Sequence, residues 1–148
     1  MNNYPTFGAM IATSTVAMYG LMYLNTYRLD HVFFSETRLY MALVMGATMA
    51  VIMLAFMLKM HRNRRLNIGI FVGSALVFCG ALWLVRSQAT VTDVSYMKAM
   101  IPHHSIAILP SERAMISDPR VRKLADGIIE SQRKEIEEMK ALVAELSK

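Results

Sequence analysis

Cysteine is nearly absent: Cys79 is the only one in 148 residues. One thiol allows no disulfide framework and no C-x-x-C pair within the chain, so soft-metal chemistry would have to use methionine and histidine. Charge is sparse as well. Charged residues make up 18% of the chain, and none lies inside three long apolar runs: Phe7 to about Tyr27, Leu39 to about Leu58, and Leu66 to Val85. The first run lacks both a basic n-region and a small-x-small cleavage site, which excludes an ordinary signal peptide and leaves a retained segment. No basic patch interleaved with aromatics appears in the C-terminal part, so nucleic-acid binding is set aside.

Hydrophobic residues and methionine are what the chain has in abundance. Fifty-five per cent of residues are hydrophobic, and 14 are methionine. Each apolar run has about the 20 residues needed to cross a hydrocarbon core of roughly 30 Å as a helix. A single such run is usually a buried core helix. Three in succession, separated by short charged loops, predict three transmembrane helices. The loop "KMHRNRR" carries Lys59, Arg62, Arg64 and Arg65, whereas "RLDHVFFSETR" sets Arg28 and Arg38 against Asp30 and Glu36. Lys and Arg counting puts the second loop in the cytoplasm. The expected topology is multi-pass in the cytoplasmic (inner) membrane. The N-terminus is then cytoplasmic, and everything after Val85 is periplasmic or extracellular. The net charge of +5 arises largely in that basic loop and needs no polyanionic partner.

Small residues suggest how the spans pack. Gly69 and Gly73 form G-x-x-x-G in the third run, and Ala42, Gly46 and Ala50 form a ridge in the second. Such residues let helix backbones approach closely in lipid. Met41, Met45, Met49, Met53 and Met57 recur every four residues along the second run. Methionine is a flexible gap-filler, so packing is the default account of this ridge, with copper conduction the sharper alternative.

After Val85 the pattern changes. Residues 1–88 form a membrane domain, and residues 89–148 alternate charged and apolar positions at helical spacing, predicting two helices. Thr92 or Asp93 can cap the first. Asp118 followed by Pro119 is a strong start for the second. On the first helix Met97, Met100, Ile101, His104 and Ile108 share one stripe, with His103 at its edge. The hairpin turns near Asp118, so residues equally far from the turn should meet. Met97 then lies near Met139, His104 near Gln132, and Met100 near Glu135 or Ile136. Thioether sulfur with imidazole suits Cu(I) and not Mg or Ca, and zinc would more usually have cysteine or carboxylate beside histidine. A lone Met at a core position is ordinarily core, and a lone His an ordinary hydrogen-bonded group. The clustering of two of each within eight residues is what points to metal.

The elements "M-x-x-M-I-P-H-H-x-x-A-I" and "DPRVRKLADGII-x-x-Q-x-x-EI-x-x-M", spanning roughly residues 92–146, resemble domain-of-unknown-function family 305. This is a ferritin-like helical family that includes periplasmic copper-binding proteins. The resemblance implies copper-associated positions at Met97, Met100, His103, His104 and Met139. Two departures stand out. Pro110 falls where the first helix should continue, predicting a kink or break. Met115 replaces the histidine that would complete Glu-x-x-His with Glu112, which counts against a di-iron centre.

The combined expectation is an all-α protein, with three spans followed by an extracytoplasmic ferritin-like hairpin. Two helices of about 55 residues together leave apolar stripes half exposed, so Ile101, Ile108, Leu124, Ile128 and Ile136 need another surface. A homodimer or higher homo-oligomer would complete a four-helix bundle. The expected function is binding of Cu(I), or Ag(I), for tolerance or handover to a copper-transport or copper-storage protein, without enzymatic activity. Gln132 and Glu135 are expected to support the ligands. The competing expectation is a structural or regulatory membrane subunit whose hairpin is a metal-free interaction module.

Overall fold

The computed structural model describes residues 3–147. Among them there are five α-helices and no strand: α1 (Tyr4–Leu21), α2 (Glu36–Phe56), α3 (Arg64–Ser87), α4 (Asp93–Arg113) and α5 (Pro119–Leu146). A single 3-10 turn (Leu29–His31) lies between α1 and α2. The chain divides into two compact units. One takes the chain through Met22 together with Thr37–Thr90, and the other takes Tyr23–Glu36 together with the chain from Val91 onward.

In the first unit α2 and α3 are the two helices long and apolar enough to cross a membrane among the described residues. The third span expected from the sequence is not one of them. The first apolar run was read through Tyr27, but its helix stops at Leu21. The Arg38 guanidinium donates to the Met22 carbonyl at 2.7 Å, satisfying one of the acceptors left free where the helix ends. The remaining 18 residues include Thr6, Thr13, Ser14 and Thr15, which dilute the apolar character of α1. The following residues, Tyr23 onward, belong to the other unit.

Phe7 of α1 packs with Ala50 and Leu54 of α2, and Met10, Met53, Met57, Ile70 and Phe71 close around them. The small ridge of α2 is buried as expected, through Ala42, Gly46 and Ala50. A Cβ at Gly46 would run into the Thr15 side chain, so glycine there is what permits the approach of α1 to α2. Gly69 and Gly73 differ: a Cβ at either would meet no other atom. Most of α3 is uncovered within the chain, with Leu66, Ile68, Val72, Leu76 and Trp83 exposed. Asn63 caps α3 by accepting from the backbone N–H groups of Arg65 and Leu66. The turn before it is tied to α1, since the Tyr4 hydroxyl donates to Asn67 Oδ1 at 2.7 Å and accepts from the Asn63 N–H at 3.1 Å.

The second unit is a helical hairpin with a strap across it. Thr92 caps α4 and Asp118 caps α5, the latter accepting from the Arg120 N–H at 2.8 Å. Helix α4 runs unbroken through both Pro102 and Pro110 to Arg113. The break expected at Pro110 is absent: the helix continues three residues past it, and the Ala114 N–H still bonds to the Pro110 carbonyl at 2.9 Å. The Arg122 guanidinium donates to the Ser111 carbonyl at 2.8 Å, tying the end of α4 to the start of α5. Ile101, Ile108 and Ile136 are 0%, 0% and 1% exposed. Around them lie Ile129, Met139 and two aromatics from the strap, Tyr27 and Phe33. Three of the five isoleucine and leucine positions that needed cover are therefore covered within one chain. Leu124 stays 65% exposed.

Polar bonds fix the strap. The backbone N–H of Tyr27 donates to Ser105 Oγ at 2.9 Å, and His31 Nδ1 lies 2.9 Å from the same oxygen. Lys140 Nζ donates to Asp30 Oδ2 at 2.8 Å. This bond, helped by Arg28, holds the Asp30 carboxyl well below the usual carboxylate range.

Candidate functional site

His104 projects from the middle of α4 and makes a bond at each ring nitrogen. Nδ1 lies 2.9 Å from the Met100 carbonyl, the i−4 position of its own helix. Nε2 lies 2.7 Å from Glu135 Oε2 on α5. A carbonyl oxygen can only accept, so Nδ1 carries a proton. Nε2 then faces the Glu135 carboxylate across the hairpin. Ser131 Oγ donates to the other Glu135 oxygen at 2.6 Å. That bond, followed by the pair with His104, holds the Glu135 carboxyl below its ordinary value.

This pair opens into a groove of about 520 Å³ lined also by Met97, Met139, Asp93, Tyr96 and Glu138. The hairpin thus brings together Met97, His104, Glu135 and Met139. Met97 is buried and Met139 half-buried. Met97 and Met139, expected to lie near each other, line the same groove. His104 meets Glu135 and not Gln132, a displacement of three residues along α5. Gln132 lines a separate groove with Leu124 and Ile128. Met100 is half-buried and gives the site its carbonyl oxygen, while its side chain is outside the groove lining. His103 is exposed. Its ring centroid is 6.1 Å from that of His104, and it too is outside the lining.

Two carboxylates were missed in the sequence, Asp93 and Glu138. Asp93 stands four residues before Met97, and Glu138 three after Glu135, so helical spacing placed both on this face. In the sequence Asp93 reads only as a candidate cap of α4. The resulting groove is acidic and carries two thioethers, one imidazole and a tyrosine. Such a set attracts a cation electrostatically and offers it soft donors. Among the described residues no three His, Cys, Asp or Glu side chains converge in a geometry that holds a metal ion. A metal at this groove would therefore depend on the methionine sulfurs.

Residues 84–147 match the family model described as Domain of unknown function (DUF305). Along nearly its whole length the chain is also similar to an uncharacterized protein of Acanthamoeba polyphaga mimivirus, with 34% identity over 155 residues, covering 98% of this chain and 95% of that one. No solved structure matches.

Proposed function

This chain belongs to the DUF305 family, and for this member we propose that the α4–α5 groove binds a soft monovalent metal ion, Cu(I) or Ag(I). The observation that carries the proposal is the shared groove of Met97, His104 and Met139 beside the Glu135 carboxylate. Met97 and Met139 supply sulfur. His104 supplies Nε2, exchanging its bond to Glu135 for the ion. Glu135, Asp93 and Glu138 offset the charge of the ion. The role is binding for tolerance or handover, with no reaction catalysed.

We further propose that α2 and α3 anchor this hairpin in a membrane. The uncovered apolar surface of α3 supports this. The strap is consistent with it. Residues 23–36 and the hairpin form one unit, so both must lie on the same side of a bilayer. Two crossings, by α2 and α3, satisfy that requirement whether or not α1 crosses. The basic Lys59–Arg65 segment then marks the cytoplasmic side, and the hairpin is extracytoplasmic.

A second reading, a metal-free interaction module, is favoured by the His104–Glu135 pair itself, which satisfies the imidazole without any ion. Competition between the purified full-length protein and a chromogenic Cu(I) chelator separates the two. The wild type is expected to withdraw copper from the chelator. A Met97→Leu, His104→Gln, Met139→Leu variant is expected to lose at least about tenfold in affinity while keeping its helical content, because Met→Leu preserves volume. Copper binding that is equal in both proteins would refute the site. No binding by either would leave the interaction module standing.

A further inference from the structure

A second groove in the hairpin unit, of about 570 Å³, shares no lining residue with the first. Its volume falls within the roughly 300–1,000 Å³ of small-molecule sites. Three arginines from three separate segments line it: Arg28 from the strap, Arg113 from the last turn of α4, and Arg133 from α5. Its floor includes Ile108 and Ile136, the apolar centre of the unit. We propose that this groove binds a phosphoryl group carried on an apolar body, supplied either by a phospholipid headgroup or by a soluble phosphomonoester.

The charge balance supports an anion. Against the three arginines the lining has one carboxylate, Glu137, which already accepts from Lys140. Arg28 is paired with Asp30 at 2.9 Å and Arg133 with Glu112. The Arg113 side chain has no ion pair or hydrogen bond among the described residues. Arginine presents its donors in a planar fork that matches phosphate oxygens, and an anion here would relieve the mutual repulsion of the three cations. His31 also lines the groove, its pKa held below the ordinary value chiefly by burial and then by Lys140, with Asp30 opposing. The apolar floor gives the rest of the ligand a surface that bare phosphate would not use. Arg28 stands eight residues before the first residue of α2 (36 − 28). If α2 crosses a bilayer, chain length alone keeps this rim within roughly 30 Å of the headgroups.

The test uses the full-length protein in nanodiscs of phosphatidylcholine, with the Ile108 and Ile136 methyl and His31 imidazole resonances followed by NMR. Phenyl phosphate is added as the soluble probe, and phosphatidic acid in the bilayer as the lipid probe. At least one is expected to shift all three residues. A response to phenyl phosphate identifies a soluble phosphomonoester as a sufficient source. A response to phosphatidic acid alone identifies the headgroup. Arg113→Gln should weaken binding by about tenfold or more, the loss expected for a hydrogen bond to a charged group. Arg113→Lys should retain part of it. Because the Arg113 side chain has no partner among the described residues, helical content and Cu(I) binding should be unchanged in both variants. Silence of all three residues with both probes would overturn the proposal, as would wild-type affinity in Arg113→Gln or equal affinity for inorganic and phenyl phosphate.

Discussion

Ser105→Ala tests the join between strap and hairpin with the loss of one atom. Ser105 is 0% exposed, and its Oγ meets both the Tyr27 N–H and His31 Nδ1. Alanine fits the same space but leaves a backbone donor and an imidazole nitrogen without a partner. Each buried polar group left unsatisfied costs about 1–3 kcal/mol. The two together give roughly 2–4 kcal/mol, allowing for some relaxation toward water. The helical hairpin keeps its isoleucine contacts, so the cost falls on docking of the strap. At about 1.4 kcal/mol per factor of ten, exchange of the Tyr27 amide should accelerate by roughly thirtyfold to several hundredfold. Amides in the middle of α5 should change far less. Hydrogen exchange read by NMR or mass spectrometry on the full-length protein measures both regions in one experiment. Wild-type protection at Tyr27 in the alanine variant would refute the role given to Ser105. Equal acceleration in α5 would show that strap and hairpin open together, contrary to the argument.

The pH dependence of the same join follows from His31, whose pKa is pushed below 6.5, chiefly by burial and then by Lys140. A value depressed in the folded state means that docking is strongest above about pH 6.5 and weakens as pH falls toward the folded value. Tyr27 protection, corrected for intrinsic exchange, should therefore fall between pH 7 and pH 5. His31→Gln should flatten that dependence. Topology can be read in a Cys79→Ser background with a membrane-impermeant thiol reagent in intact cells. Cysteines at Leu29 and Met115, both highly exposed, should label alike and a cysteine at Arg62 oppositely; unlike labelling of the first two would defeat the two-crossing scheme. Gly46→Ala should loosen α1 from α2 at a cost of about 1–3 kcal/mol, seen as faster proteolysis of the α1 segment, whereas Gly69→Ala should be neutral. In the Cys79→Ser background a cysteine at Leu124, which is uncovered in the single chain, should cross-link two copies in native membranes; a monomer there would refute the expected homo-oligomer.

Helices with strong end signals were legible in the sequence. Asp118–Pro119 and Thr92 announced the starts of α5 and α4 because capping is decided within a few residues. The buried ridge of Ala42, Gly46 and Ala50 was legible for the same reason, as spacing on one helix. The glycines at 69 and 73 were equally conspicuous but meet nothing within the chain, since a ridge of small residues does not name its partner. The shared groove of Met97 and Met139 followed from counting back from the turn. The partner of His104 did not, because one helix face offers a candidate every three or four residues, and counting cannot choose between Gln132 and Glu135. The strap was least legible of all. Nothing in "RLDHVFFSETR" signals that Asp30 will meet Lys140, a residue 110 positions away, or that Tyr27 and Phe33 will cover isoleucines of the hairpin. Read locally, Tyr27 looked like the end of an apolar run, and the first span was drawn too long.

The separation of Asp30 from Lys140 also sets an order of events during synthesis. Ribosomes add roughly 5–20 residues per second, so the strap emerges about 5–20 s before Lys140 exists. Over that interval Tyr27 and Phe33 have no isoleucine surface to cover, and α4, when it appears, still lacks Ile136. The second unit therefore assembles last and all at once, when its final helix is made. A chain cut short before residue 133 would leave the strap, the methionine groove and the arginine groove incomplete together, because each takes a side chain from beyond residue 132.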